Sequence, residues 1–214
     1  MSHTQTHGHG HPHDPIEDNP DVRPEHLLLE QAMRELLIEK GVFSAADVTR
    51  QIEDMDAITP AQGSTFVAKY WTDPEFRKAA QKDGKAAAES MGIDMSVAPE
   101  LVILENTPEV HHVVVCTLCS CYPRAVLGLP PAWYKSANYR SRMVVEPRAV
   151  LQEFGLELPA EVEVRVVDSN ADMRYLVVPM RPPGTQGFSE SQLAELVSRD
   201  SMIGVAQARS PGKS

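Results

Sequence analysis

All three cysteines of this 214-residue chain fall within six positions, as Cys116, Cys119 and Cys121 of "VCTLCSCYPR". This C-x-x-C-x-C spacing restricts the local fold severely. On a straight helix, at about 100° per residue, the three side chains point in widely different directions. They converge only where the backbone curls into a claw. The preceding residues, "EVHHVVV" (109–115), read as a strand, so the claw must grow directly out of a strand end. An odd number of cysteines gathered in one place is a poor disulfide framework, and a reducing compartment leaves such thiols free for metal or redox chemistry.

Three converging thiolates suit a soft or borderline metal: zinc, an iron–sulfur cluster, or a redox-capable cobalt or iron ion. Structural zinc requires a fourth ligand, for which His111 and His112 are candidates, although only one of them can share a strand face with Cys116. An iron–sulfur cluster needs a fourth ligand too. Alternatively, the amide nitrogens of Ser120 and Cys121, once deprotonated, complete a square base with the three sulfurs and leave one position open. An open position on a trivalent ion is a Lewis-acid site. A reactive thiol cluster without metal is the fourth reading, and spacing alone leaves all four standing.

The rest of the chain supplies the scaffold. Hydrophobic residues make up 42% of the sequence, enough for one compact domain with an appendage, and the net charge of −10 argues against nucleic acid or an anionic membrane as partner. No stretch approaches the roughly 20 apolar residues that span a bilayer, and "MSHTQTHGHGHPHD" lacks the apolar core of a signal peptide, so the expected location is the cytoplasm. Residues 1–24, with His3, His7, His9, His11 and His13, are expected to be a disordered tail, with metal delivery, adventitious affinity or an expression tag as its readings. Residues 25–92 read as a helical arm contacting a partner subunit. Within it, "EHLLLEQAMRELLIEKG" runs to Gly41, a second helix covers Ala45 to Met55, and a third starts at Asp73-Pro74 and ends near Gly92.

Residues 93–208 read as an α/β domain holding the claw, and 209–214 as a flexible C-terminus. Strands are expected at 100–105, 109–115, 161–167 and 173–179, with helices at 147–155 and from "SESQ", where Ser189 and Gln192 fit a capping box. The predicted fold class is α+β. Arg124, Lys135, Arg140, Arg142 and Arg148 face only Glu146 between residues 122 and 148, a basic stretch beside an anionic claw. Trp133 and Tyr134 read as packing within the chain or as a partner contact. Asp168 and Asn170, between two strands, read as a binding pair or as a turn, and a turn is sufficient explanation.

"VCTLCSCYPRAVLGLPPAWYKSANYRSRM", together with "RYLVVPMRPPGTQGFSESQLAELVSRDSMIGVA", resembles the alpha subunit of cobalt-type nitrile hydratase and the closely similar gamma subunit of thiocyanate hydrolase, from about Leu27 to Ala206. The resemblance implies a layered α/β/β/α domain. It also implies low-spin Co(III), or alternatively Fe(III), held by the sulfurs of Cys116, Cys119 and Cys121 and the amides of Ser120 and Cys121. Cys119 would be a sulfinic and Cys121 a sulfenic acid, and Cys119, Ser120 and Cys121 would form the catalytic group. Thr117 points to cobalt, since the iron members usually have serine there. The implied reaction hydrates a small nitrile to an amide. It needs a beta subunit, whose arginines meet the oxidised sulfurs, in an αβ heterodimer assembled further to α2β2, and a cobalt-insertion activator. Two positions depart from the pattern. Arg124 stands in the substrate pocket where nitrile hydratases usually have tryptophan and thiocyanate hydrolase has arginine. Val97 falls near the place where many nitrile hydratases carry a glutamine behind the metal ligands. The alternatives are therefore a thiocyanate hydrolase gamma subunit, releasing carbonyl sulfide and ammonia, and a non-catalytic zinc-bound structural subunit.

Overall fold

The computed structural model describes residues 24–119 and 121–212; the expectations placed on 1–23, on Ser120 and on 213–214 lie outside these. The chain begins with α1 (Pro24–Glu39) and α2 (Ala45–Ala57), joined by a turn in which Gly41 adopts a φ of 68°. A Ser44–Asp47 capping box starts α2. Neither helix buries a single residue, and Leu27, Leu28, Leu29 and Met33 all stand more than half exposed.

Packing changes at Thr59, whose hydroxyl caps α3 (Pro60–Thr72) with Pro60 at the first helical turn. Periodicity did not announce α3, yet it buries Phe66, Val67, Ala68 and Tyr70. Burial of side chains the size of Phe66 and Val67 is worth about 1.5–3 kcal/mol each. Gly63 lets α3 lie close to its neighbours, because a Cβ there would stand 2.7 Å from Leu127 and 2.9 Å from the Val126 carbonyl. The single helix expected between Asp73 and Gly92 is in fact two, α4 (Pro74–Lys82) and α5 (Gly84–Ser90). Asp83 ends the first and caps the second by accepting from the Ala86 N–H at 2.9 Å. Phe76, Ala80, Ala87 and Ala88 of these helices join Leu101, Val113 and Leu176 in one core. The change in packing thus falls between α2 and α3, not at residue 92: only α1 and α2 stand apart from the core.

Four strands follow the expected positions: β1 (Glu100–Glu105), β2 (Val110–Val115), β3 (Glu163–Asp168) and β4 (Met173–Val178). β1 pairs in parallel with β4, from Glu100↔Met173 to Glu105↔Val178, and β2 in parallel with β3, from Val110↔Glu163 to Val115↔Asp168. Connections as short as 106–109 and 169–172 cannot join parallel neighbours, so each steps from one sheet to the other. Between β2 and β3 run α6 (Arg124–Leu127), α7 (Ala132–Lys135), α8 (Ala137–Met143) and α9 (Pro147–Glu153). α10 (Glu190–Ala194), with the expected Ser189–Gln192 capping box, and α11 (Arg199–Ile203) close the chain. α4, α5 and α11 pack on the β1–β4 sheet, that sheet meets the second through β4 and β2, and α8 and α9 cover the far side. These are the four layers of an α/β/β/α fold within the α+β class. The topology sends the C-terminal ends of β2 and β3 to one end of the molecule and those of β1 and β4 to the other.

Candidate metal centre

Cys116 is the first residue beyond β2, whose last three valines are almost completely buried. The turn after it is fastened from the neighbouring strand. Asp168, the last residue of β3, accepts from the Thr117 N–H at 2.9 Å and from the Thr117 hydroxyl at 2.5 Å. The loop then folds back so that the Cys119 N–H donates to the Cys116 sulfur at 3.2 Å. The sulfurs of Cys116 and Cys119 stand 3.5 Å apart, those of Cys119 and Cys121 3.3 Å apart, and all three lie within 4.8 Å of one another.

Buried tyrosines support this loop from below. Tyr134 donates its hydroxyl to the Cys121 carbonyl at 2.8 Å, and Tyr139 donates to the Val114 carbonyl at 2.8 Å. Tyr122 packs edge-on against Tyr134 with ring centroids 5.1 Å apart, and Trp133 packs on Tyr139 and Phe154. Trp133 and Tyr134 are therefore packing residues of this chain. Burial drives the pKa of all three tyrosines up, so the hydroxyls of Tyr134 and Tyr139 stay protonated as donors, while that of Tyr122 is buried without a hydrogen-bond partner among the described residues.

The thiols differ in access. Cys116 is buried, Cys121 half-buried and Cys119 exposed, beside a Leu118 that is 88% exposed. Desolvation pushes the Cys121 thiol up to about 12, its hydrogen bond to Cys119 adds to the rise, and the charge of Arg174 opposes it. A cation beside Cys121 would favour its thiolate. The sulfur spacing fits that role: metal–sulfur bonds of about 2.3 Å at near-right angles put two ligand sulfurs roughly 3.3–3.5 Å apart.

Other sequence candidates fall elsewhere. Among the described residues, no histidine or carboxylate joins the three sulfurs. His111 has both ring nitrogens engaged, Nε2 with the Gly204 carbonyl at 2.7 Å and Nδ1 with the Asn106 amide at 3.1 Å, and His112 Nδ1 also turns to Asn106. Of the basic stretch, Arg142 pairs with Glu146 and Glu153, and Arg148 donates to the carbonyls of Leu158, Pro159, Ala160 and Val162. Arg140 reaches the Thr117 carbonyl at 3.4 Å. Arg124 opens α6, exposed and three residues beyond Cys121, with no carboxylate at ion-pair distance among the described residues. Val97 is 96% exposed. Asp168 does more than form a turn, the role its sequence context suggests, because it fastens Thr117, 51 residues away.

These features define an α/β/β/α chain that presents a cluster of three sulfurs able to hold a metal ion at the end of an inner strand. Comparison with known proteins places it: the family described as nitrile hydratase, alpha chain, is matched over residues 25–206, and this chain belongs to that family. The high-molecular-weight cobalt-containing nitrile hydratase alpha subunit of Rhodococcus rhodochrous is 52% identical over 183 residues, covering 85% of this chain and 90% of that one. The thiocyanate hydrolase gamma subunit of Thiobacillus thioparus is 49% identical over 190 residues, covering 84% and 78% respectively. A solved structure of recombinant thiocyanate hydrolase with partially modified cobalt centres superposes with a TM-score of 0.82 at 48% identity, covering 87% of this chain and 90% of that one.

Proposed function

We propose that this chain is the metal-carrying catalytic subunit of a nitrile hydratase, with cobalt, or alternatively iron, held by Cys116, Cys119 and Cys121 and by the backbone amides of Ser120 and Cys121. The observation that carries the reading is the claw itself, with sulfur separations of 3.3 and 3.5 Å and a gradient of exposure across it. When bound, a trivalent ion supplies a Lewis acid that polarises a nitrile toward addition of water, giving the amide. The protein's part is to hold the sulfurs together and to expose two of them. Oxidation follows thiolate character and access, so once a metal holds the sulfurs as thiolates, exposed Cys119 and half-buried Cys121 are the ones an external oxidant such as dioxygen would convert to sulfinic and sulfenic acids, while buried Cys116 stays a thiolate. Anionic oxygens at the mouth of the claw need donors from another chain, which makes a beta subunit part of the active unit, as an αβ heterodimer assembled to α2β2. The exposed leucines and Met33 of α1, with Ile52 of α2, are the surface proposed to meet it. A cobalt-insertion activator completes the proposed set of partners.

Arg124 favours a second reading. An exposed arginine three residues beyond Cys121 in the chain suits an anion, which supports thiocyanate as substrate and carbonyl sulfide and ammonia as products. One preparation decides. The chain is co-produced with its partner subunit in cobalt-supplemented medium, and turnover of a simple aliphatic nitrile and of thiocyanate is measured side by side with metal content and visible absorption. Amide as the dominant product supports the nitrile reading, and carbonyl sulfide replaces it with the second. A colourless, zinc-loaded and inactive complex would leave the chain a structural subunit.

A further inference from the structure

At the end of the sheets opposite the cysteines, where β1 and β4 finish, lies a cavity of about 260 Å³ bounded by Tyr70, Trp71, Arg77, Glu105, Asn106 and Arg181. The carboxyl end of a parallel strand pair is where α/β folds commonly receive ligands. One strand of six residues, roughly 20 Å, separates it from the claw.

The hydrogen bonds of this cavity leave an excess of donors. Glu105 is fully engaged: Oε1 accepts from Arg77 at 2.5 Å, and Oε2 accepts from the Tyr70 hydroxyl at 2.9 Å and from Gln81 at 3.0 Å. The Pro179 carbonyl takes the Trp71 indole N–H at 2.9 Å, and the Asn106 carbonyl oxygen takes the His112 N–H at 2.8 Å. Arg181 is fixed by neutral groups only, through Nε to the Thr185 hydroxyl at 3.0 Å and Nη2 to the Thr185 carbonyl at 2.7 Å. Among the described residues no carboxylate lies at ion-pair distance from it. The single carboxylate is matched by Arg77, so one guanidinium charge remains unbalanced.

We propose that this cavity binds a small organic monocarboxylate, its oxygens on Arg181 and the free edge of Arg77 and its alkyl part against Trp71 and Pro179. A planar guanidinium fork matches carboxylate geometry, and an indole and a proline ring offer an apolar wall that inorganic phosphate has no group to use.

The chain has two tryptophans, Trp71 in the cavity wall and Trp133 in the aromatic cluster below the cysteines, and their indole N–H signals report the two ends separately. In the complex with the partner subunit, with only this chain labelled with nitrogen-15, propionate is titrated beside propionamide and inorganic phosphate. The expected result is a saturable shift of the Trp71 signal with propionate, none with propionamide, and at least about tenfold weaker binding of phosphate, the Trp133 signal staying in place. Arg181→Gln should weaken propionate about tenfold, and Glu105→Gln, which releases Arg77, should tighten it severalfold. No saturable shift of Trp71, a shift of Trp133 instead, or equal binding of phosphate would overturn the proposal. The wild-type titration decides this even if a variant fails to fold.

Discussion

Asp168 accepts two hydrogen bonds from Thr117 and thereby fixes the turn that gathers the cysteines. Hydrogen bonds to a charged acceptor contribute about 1.5–3 kcal/mol each. Asp168→Ala should leave the layered core intact by circular dichroism, yet lower metal affinity by about tenfold or more, as loss of groups that orient metal ligands typically does, measured as metal bound per chain after dialysis. Tyr134 acts one step further from the sulfurs. Its hydroxyl satisfies the Cys121 carbonyl beside a fully buried ring, so Tyr134→Phe leaves that acceptor unpaired at about 1–3 kcal/mol, to be read from the urea midpoint of the metal-free chain. The spacing of the cysteines set the condition for their convergence, a backbone curled into a claw, and the cysteines themselves were legible in the sequence. Their two holders were not, because neither Asp168 nor Tyr134 stands in a pattern that names its partner.

Between elements, His111 ties β2 to α11. Its ring donates to the carbonyl of Gly204, the residue that ends α11 in a left-handed conformation with φ 95°. A Cβ on Gly204 would sit inside van der Waals contact with the His112 carbonyl oxygen, so Gly204→Ala should be strongly destabilising and recover little soluble protein. Burial lowers the pKa of His111, and the hydrogen bond to Gly204 opposes this only in part; burial and the charge of Arg165 lower that of His112. The unfolded chain therefore takes up these protons first as pH falls through about 6.5, and stability present above that value is lost below it. The urea midpoint should drop between about pH 7.5 and about pH 5.5, with a smaller drop in His111→Gln. Strand positions were readable because alternating and β-branched runs such as "ELVILE" and "EVHHVVV" carry a period of two. The break at Asp83 was hidden inside an alanine-rich run with helical character on both sides. α3 was hidden because its glycine, serine and threonine residues dilute the apolar period that its buried face follows.

For the molecule as a whole, α1 and α2 contribute nothing to the shared core, which begins with α3. Removing residues 1–57 should therefore leave the melting temperature of the remaining chain within a few degrees, while co-purification with the partner subunit is lost. The fastening of Thr117 by Asp168 also sets a clock on biosynthesis. The ribosome must add 51 further residues after Thr117 before the carboxylate that fixes the loop exists. At about 5–20 residues per second this interval lasts roughly 3–10 s, and β3 must then pair with β2. During that time the thiols of the nascent chain are nucleophiles without a platform, open to any passing oxidant or adventitious metal. The fastened loop therefore exists only after Asp168 has been made and β3 has paired with β2.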